Sequence, residues 1–536
     1  MSKITIYDTT LRDGSQAEDV YFTSDDKIKI ALKLDEFGIP FIEGGWPGSN
    51  PVDDAFFSEI FNYELKQAKI VAFGSTHHPD HTPENDPNLA AIKASGAKYA
   101  AIFGKSWQEH IETALRVAPE RNLEIIAGSI IFLRANGLTV FFDAEHFFDG
   151  YKAHPEYSLE VLRTAAAAGA EALVLCDTNG GTLTTEIYDM VKAVHTALPE
   201  ATLGIHVHND CELAVANSLA AVEAGATQVQ GTINGVGERC GNTNLTSIIP
   251  LLNLKSGGRY HCLPKEKLVQ LSSLSNYVAE VANMGLFARQ PFVGRSAFAH
   301  KGGVHVSAVS RKASLYEHIN PDSVGNRQRI LITELAGRSN IVSLAKRFGF
   351  HLDKDEPVVR GLHNELKAKT AQGYDYAAAE ASVELLLLKK LGRHGVRQFF
   401  DLIHFRVLET KNSETEAPVS EATVTLRVEG IEEHTAAYGH GPVNALDTAL
   451  RKALSGFYPR LAEMRLIDFK VRVLANVEEG GTASVVRVLI ESGDQTSRWV
   501  TVGVSFNIIE ASWQALADSI TYKLYKDEYE HRQKQE

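Results

Sequence analysis

Short apolar runs rich in β-branched residues alternate with amphipathic stretches at a steady interval through about the first 250 residues. The strand-like runs are Ile4 to Tyr7, Phe41 to Gly45, Lys69 to Phe73, Tyr99 to Phe103, Glu124 to Phe132, Ala172 to Cys176, Thr202 to His208 and Gln228 to Asn234. Between them, helical periodicity marks Ser24 to Phe37, Ser158 to Ala168, Thr184 to Leu198 and Glu212 to Ala224. Eight strand-helix units without a hairpin signal predict an α/β fold whose parallel sheet closes into a (β/α)8 TIM barrel; a doubly wound open sheet is the alternative.

Punctuation along the chain agrees with this. Thr23-Ser24-Asp25-Asp26 and Ser158-Leu159-Glu160 place small polar and acidic residues where helices start, and Gly38, Gly169 and Gly225 fall where helices end. The barrel is expected over residues 1–265. A helical arm or subdomain over 266–400 follows, broken by a Gly-, Pro- and His-rich stretch from Gln290 to Ser310. Residues 401–536 change character again. Strands are predicted at Val424 to Val428, Lys470 to Leu474, Ser484 to Glu491 and Ser497 to Val504. Two helices, running to Leu454 and Leu524, each open on Asn-x-x-Asp/Glu, at Asn444 and Asn507. This predicts an internally duplicated α+β domain, with Thr410 to Ala417 as a linker or loop.

Composition narrows the function classes. A 44% hydrophobic, 23% charged chain of 536 residues is an ordinary globular protein. Its net charge of -13 has no basic cluster to track a phosphate backbone, which argues against nucleic acid as a partner. No apolar stretch reaches the ~20 residues that span a bilayer. Cys176, Cys211, Cys240 and Cys262 have no paired spacing. Together these predict a cytoplasmic protein with reduced thiols.

Candidate chemistry gathers at strand ends. The first strand runs into Asp8-Thr9-Thr10-Leu11-Arg12-Asp13-Gly14, delivering a cation and a carboxylate to the barrel mouth. On the seventh, His206-Val207-His208 points two imidazoles one way, because side chains alternate with period two. A hydrogen-bonded pair of core histidines is the ordinary meaning of His-x-His. Closure of the sheet, however, brings strands seven and one together, so Asp13, His206 and His208 are candidate metal ligands. Asn242, in Gly235-Val236-Gly237-Glu238-Arg239-Cys240-Gly241-Asn242, offers a further carbonyl oxygen. The mixed N/O set suits Mn, Mg or Zn acting as a Lewis acid.

These three motifs, with His206-Val207-His208-Asn209-Asp210 read as one, resemble the family of 2-isopropylmalate, homocitrate and citramalate synthases. The similarity continues through Tyr316-Glu317-His318-Ile319 and Glu380-Ala381-Ser382, and the C-terminal part resembles that family's amino-acid-binding regulatory domain. The resemblance implies an acyltransferase that condenses acetyl-CoA with a 2-oxo acid. The members it looks most like use pyruvate and water to give (R)-citramalate and CoA on the route to isoleucine. A longer oxo acid is the alternative; a metal-dependent aldolase or lyase and a non-catalytic sensor are the other classes.

The resemblance assigns roles to further residues. Arg12 would face the alkoxide that develops on the oxo acid. Glu145 and His305 would form the proton-transfer pair, the histidine coming from a partner subunit's arm and assisted by Tyr316; which of the two takes the proton is left open. His300 is the alternative histidine. Thr178 would hydrogen-bond the substrate carboxylate or cap the next helix, and Glu43 would face substrate or buttress Arg12. Trp46 and Asp143 depart from the family's pattern. A homodimer inhibited by isoleucine, bound at a dimer interface between the duplicated C-terminal units, is the expected regulation.

Overall fold

The computed structural model describes residues 2–300, 308–309, 311–330, 338–347, 350–376, 378–391, 398–474, 484–494 and 497–533. They belong to two compact units, residues 1–298 with 317–328 and residues 299–316 with 329–536.

The first unit contains a closed barrel of eight parallel strands: β1 (Thr5–Asp8), β2 (Phe41–Gly45), β3 (Lys69–Ser75), β4 (Tyr99–Lys105), β5 (Thr139–Glu145), β6 (Ala172–Asp177), β7 (Leu203–Val207) and β8 (Gln228–Gly231). β1 pairs with β8 from Thr5 opposite Gln228 to Asp8 opposite Gly231, which closes the ring and excludes the open sheet. Outside run α1 (Ser24–Phe37), α2 (Pro51–Ile60), α3 (Pro87–Ala94), α4 (Pro119–Ala135), α5 (Phe147–Ala153), α6 (Pro155–Ala168), α7 (Thr184–Ala197), α8 (Ala214–Ala224) and α9 (Leu245–Pro250).

Most of this follows from local chemistry. α1 opens on a capping box in which the Thr23 hydroxyl accepts from the Asp26 N–H and the Asp26 carboxylate accepts from the Thr23 N–H. It ends at Gly38, whose φ of 113° a side chain would disfavour. Its inner face, Ile28, Ala31 and Leu34, is fully buried in the barrel shell.

Two expectations fail here. Glu124 to Phe132 is not a strand but the centre of α4. Its isoleucines come in adjacent pairs that satisfy a period of two as readily as 3.6. The buried set Asn122, Ile125, Ile126, Ser129, Ile130 and Leu133 has helical spacing, Ile131 is 55% exposed, and Pro119 occupies the first turn. The fifth strand is Thr139–Glu145, so Glu145 ends that strand rather than following it. Ser158 likewise starts no helix: α6 begins at Pro155, and the Ser158 hydroxyl donates to the Ser106 carbonyl.

After the barrel, α10 (Leu271–Val281) packs in the first unit. The second unit holds α11 (Arg338–Arg347), α12 (Pro357–Ala371) and α13 (Glu380–Leu391). It continues with a repeated three-strand-and-helix motif. The first copy is β9 (Asp401–Thr410), β10 (Val419–Val428), β11 (Ile431–Gly439) and α14 (Pro442–Leu454); the second is β12 (Arg465–Leu474), β13 (Val485–Gly493), β14 (Arg498–Ser505) and α15 (Ile508–Gln533).

The duplication is as expected, but β9 and β11 were not anticipated. The stretch after Thr410 is a loop, the second of its two expected readings, and makes the hairpin connection from β9 to β10. Asn507 does cap α15, accepting from the Ile509 and Glu510 N–H groups. Asn444 does not cap α14. Gly441 holds that position, and the Asn444 side chain reaches back to accept from the His440 N–H.

Among the described residues, no helix is long and apolar enough to cross a membrane.

Candidate active site

The ends of β1 and β7 and the loop after β8 bring four side chains together, those of Asp13, His206, His208 and Asn242. Asp13 follows β1 in a tight turn, its N–H bonded to the Thr9 carbonyl. His206 lies in β7, and His208 follows it, bridged in antiparallel fashion to Asn242. The ligating atoms of Asp13, His206 and His208 all lie within 4.8 Å of one another, and all three residues are buried. His206 Nε2 is 3.2 Å from Asp13 Oδ2. His206 Nδ1 meets Gln230 Oε1 at 2.9 Å, which fixes the tautomer that leaves Nε2 toward Asp13. Burial, then the neighbouring His206, pulls His208 down to about 4, leaving a neutral imidazole. Burial alone would raise Asp13, but Arg12 and His206 outweigh it and hold its carboxyl well below the usual carboxylate range.

This donor set fits a divalent cation: one ionised carboxylate, two neutral-capable imidazoles and a buried His208 Nδ1 without a hydrogen-bond partner among the described residues. Asn242 requires a correction. Its carbonyl oxygen was expected to face the cation, but its Nδ2 donates to Asp13 Oδ2 at 2.8 Å, and Oδ1 turns toward Gly237. A Cβ on Gly237 would fall 1.8 Å from that oxygen, so the loop needs glycine there. Oδ1 has no hydrogen-bond partner among the described residues, so a half-turn of the amide presents it to the cation with no bond lost at the Gly237 end.

Arg12 is held on three sides. Nε donates to Glu43 Oε1 at 2.5 Å, Nη1 lies 3.7 Å from Asp13 Oδ1, and Cζ sits 3.7 Å over the Phe73 ring. Glu43 is fully buried and uses its second oxygen to accept from the Tyr7 hydroxyl at 2.6 Å. Both its oxygens are thus engaged within the protein, one on Arg12 and one on Tyr7. Trp46 stands edge-on to Phe73 and Phe103, at 5.6 and 5.7 Å between ring centroids, and donates from Nε1 to Asn88.

Glu145 ends β5 and pairs through Oε2 with Lys105 Nζ at the end of β4. Thr178 follows β6 without capping the next helix, which Leu183 precedes. Its hydroxyl accepts from the His146 N–H at 2.9 Å. Tyr316 and His300 belong to the second unit, Tyr316 45% exposed and His300 buried. His305 lies outside the described residues.

Gln230, Tyr7 and Lys105 escaped notice in the sequence. Gln228 and Gln230, two polar residues alternating within a barrel strand, were the available signal for the first. Lys105 ends its strand in a cation much as the first strand leads into Arg12. Asp143, noted only as a departure, is buried, accepts from Gln230 at 3.4 Å and is raised to about 7 by burial and then by Glu43.

Comparison with known proteins accounts for this layout. Residues 3–278 match a family described as HMGL-like, 292–373 a homocitrate synthase post-HMGL domain-like family, and 377–524 the LeuA allosteric (dimerisation) domain. The chain is 54% identical over 528 residues to an (R)-citramalate synthase of Geobacter sulfurreducens, covering 98% of this chain and 99% of that one. It is also 54% identical, with the same coverage, to an (R)-citramalate synthase of Aquifex aeolicus. A 2-isopropylmalate synthase of Methanocaldococcus jannaschii is 30% identical over 98% of this chain and 96% of its own. By this likeness along nearly its whole length, the chain belongs to the citramalate synthase and 2-isopropylmalate synthase family, with an HMGL-like barrel and a LeuA-type C-terminal domain.

Proposed function

We propose that the chain is an acyltransferase that condenses acetyl-CoA with pyruvate and water to give (R)-citramalate and CoA, in the service of isoleucine synthesis. The observation that carries this is the convergence of Arg12, Asp13, His206 and His208 at one barrel mouth, in a chain 54% identical to (R)-citramalate synthases. Asp13, His206, His208 and, after its amide turns, Asn242 would hold Mn, Mg or Zn. Such a cation, when bound, supplies Lewis-acid polarisation of the keto carbonyl.

The chain's own groups do the rest. Arg12, fixed at Nε, has terminal nitrogens without hydrogen bonds among the described residues, and these face the oxygen that gains charge as the keto carbon is attacked. Glu145 and His305 move the acetyl methyl proton, with Tyr316 assisting the histidine and a second copy of the chain supplying that arm. Thr178 keeps its hydroxyl proton for the oxo acid carboxylate while its oxygen accepts from His146. The Phe73 ring beneath Arg12, with Phe103 stacked on it and Trp46 edge-on to both, supports a short oxo acid side chain. Discrimination between oxo acids differing by a methylene amounts to only ~1–3 kcal/mol, so a longer acid is the second reading.

A CoA-release assay with acetyl-CoA over a panel of 2-oxo acids, with and without chelator, tests this. Pyruvate should give the highest kcat/KM and chelation should stop turnover. No release with any acid would overturn the proposal. A homodimer that binds isoleucine through its C-terminal domain completes it, supported by the match to the LeuA allosteric (dimerisation) domain. Calorimetric titration of the full chain with isoleucine, leucine and lysine should show heat for isoleucine; none for any would remove the regulatory role. The free state of all four cysteines supports a cytoplasmic location.

A further inference from the structure

We infer that Lys105 is a catalytic residue, the cation that takes up the charge on the thioester oxygen when acetyl-CoA is deprotonated. This rests on Glu145 acting in proton transfer, as proposed above.

The placement is built into the barrel. Lys105 and Glu145 are register partners at the last rung of the β4–β5 ladder, and their side chains pair at the mouth, 20% and 23% exposed. Both main chains are pinned. The Lys105 carbonyl accepts from buried Asn122 at 2.9 Å, and the Glu145 carbonyl accepts from the Ser106 hydroxyl at 2.7 Å. His146, immediately after, is held at φ 54°, a left-handed conformation uncommon outside glycine and asparagine, with its N–H on Thr178. Lys105 Nζ also lies 5.6 Å from the Phe103 ring centroid; Phe103 stacks on Phe73 at 5.5 Å, and Phe73 carries Arg12. One aromatic wall therefore links the two cations, Arg12 beside Asp13 and Lys105 beside Glu145.

A part-buried ion pair loses much of its Coulomb gain to desolvation, so the fold has a modest need of it. The chemistry has more. Removing a proton from the methyl of a thioester moves the C–H electron pair into a new C=C bond and the carbonyl π pair onto oxygen. The resulting enolate is costly unless a cation faces that oxygen. Arg12 is engaged with Glu43 and the oxo acid, and Arg239 is bidentate to Asp210 at 2.7 and 2.9 Å. Lys105 is the cation in contact with Glu145 itself. Glu145 takes the proton, and Lys105 turns one N–H from Glu145 to the thioester oxygen, keeping all three of its protons. The enolate carbon then attacks the keto carbon, whose π pair moves to the oxygen facing Arg12. The alkoxide takes up the proton that Glu145 removed, which returns Glu145 to its carboxylate. Water then cleaves the C–S bond, its OH going to the acyl carbon and its remaining proton to sulfur, so CoA leaves as the thiol. Nothing is oxidised or reduced.

The test compares Lys105→Met, Lys105→Arg and Glu145→Gln in the full-length, metal-loaded protein, using CoA release and the primary isotope effect from acetyl-CoA deuterated in its methyl group. Loss of one oxyanion donor lowers kcat about 10²- to 10³-fold. Lys105→Met should therefore fall by that factor, keep its KM for pyruvate within twofold and show a full isotope effect; Lys105→Arg should recover at least tenfold. A Lys105→Met kcat within threefold of the parent overturns the inference, and so does a loss of rate with no isotope effect. If Lys105→Met is impaired while Glu145→Gln runs at full rate, the proton-transfer reading of Glu145 falls and takes the Lys105 inference with it. The reverse pattern removes Lys105 alone.

Discussion

Arg12 and Glu43 meet at the ends of the first two barrel strands, with Nε 2.5 Å from Oε1 and the carboxylate fully buried. A charged group shut away from solvent is stable only when paired, so Glu43 and Arg12 fix each other, and the Tyr7 hydroxyl closes the remaining acceptor. Glu43→Gln keeps the shape and removes the charge. A hydrogen bond to a charged group is worth about 1.5–3 kcal/mol, so kcat/KM for the oxo acid should fall about 10- to 150-fold, with KM for acetyl-CoA little changed. Tyr7→Phe should cost less. Steady-state kinetics against each substrate decide this; an unaltered kcat/KM in Glu43→Gln would remove the buttressing role.

The cation site predicts a stability signature separate from turnover. A ligand at 100 times its Kd stabilises the folded state by about 2.7 kcal/mol. Adding Mn, Mg or Zn to chelator-stripped protein should thus raise its thermal midpoint, and Asp13→Ala should abolish that rise. Gln230→Leu, which frees His206 Nδ1, should weaken metal affinity about 10- to 100-fold in calorimetry while leaving the stripped protein folded. A midpoint indifferent to every metal would refute the site.

The barrel and its mouth were largely legible in the sequence because they rest on local signals. Strand ends, glycine stops and the His-x-His alternation each need only a few neighbouring residues. What was missed depends on tertiary context. The isoleucine pairs of α4 suit either period, and only the barrel wall on one side and solvent on the other decide between them. Gln230 and Lys105 act through partners 24 and 40 residues away, which no spacing reveals. β9 and β11 are largely exposed strands whose polar alternation is weak until β10 lies between them. The orientation of the Asn242 amide depends on the close approach of Gly237.

Asp35 ties α1 to the start of β3. Its carboxylate accepts from the N–H groups of Lys66, Gln67 and Ala68 at 2.8, 2.9 and 2.7 Å, and it is only 4% exposed. Burial pushes its pKa up, but the three backbone bonds prevail and hold it below the usual value. A depressed carboxylate stabilises the fold above its unfolded pKa, near 3.9, and loses that contribution as pH falls toward the folded value. Asp35→Ala should cost about 1–3 kcal/mol at pH 7, and the deficit should shrink below about pH 4. Denaturant titrations at pH 7, 5 and 3.5 measure this; a deficit growing toward low pH would contradict the sign.

Lys523 in α15 is a wholly buried ammonium among three carboxylates, at 2.9 Å from Glu463, 3.1 Å from Asp494 and 2.8 Å from Asp527. Burial would lower its pKa, yet Asp527, Glu463 and Asp494 outweigh it and raise it. Its contribution is therefore complete below the ordinary lysine pKa of about 10.4 and disappears only as pH climbs through the folded value. Lys523→Met leaves Asp494 and Asp527 facing inward, with Lys526, 2.8 Å from Asp494, as partial compensation. Breaking a buried pair from one side costs about 3–5 kcal/mol. Hydrogen exchange should show α15 and the β13 amides beside it losing about two to nearly four orders of magnitude of protection, equally at pH 6 and pH 8, while the barrel amides keep theirs. Unchanged protection in α15 would mean that desolvating the ammonium cancels its pairing, leaving the cluster without net stabilising effect.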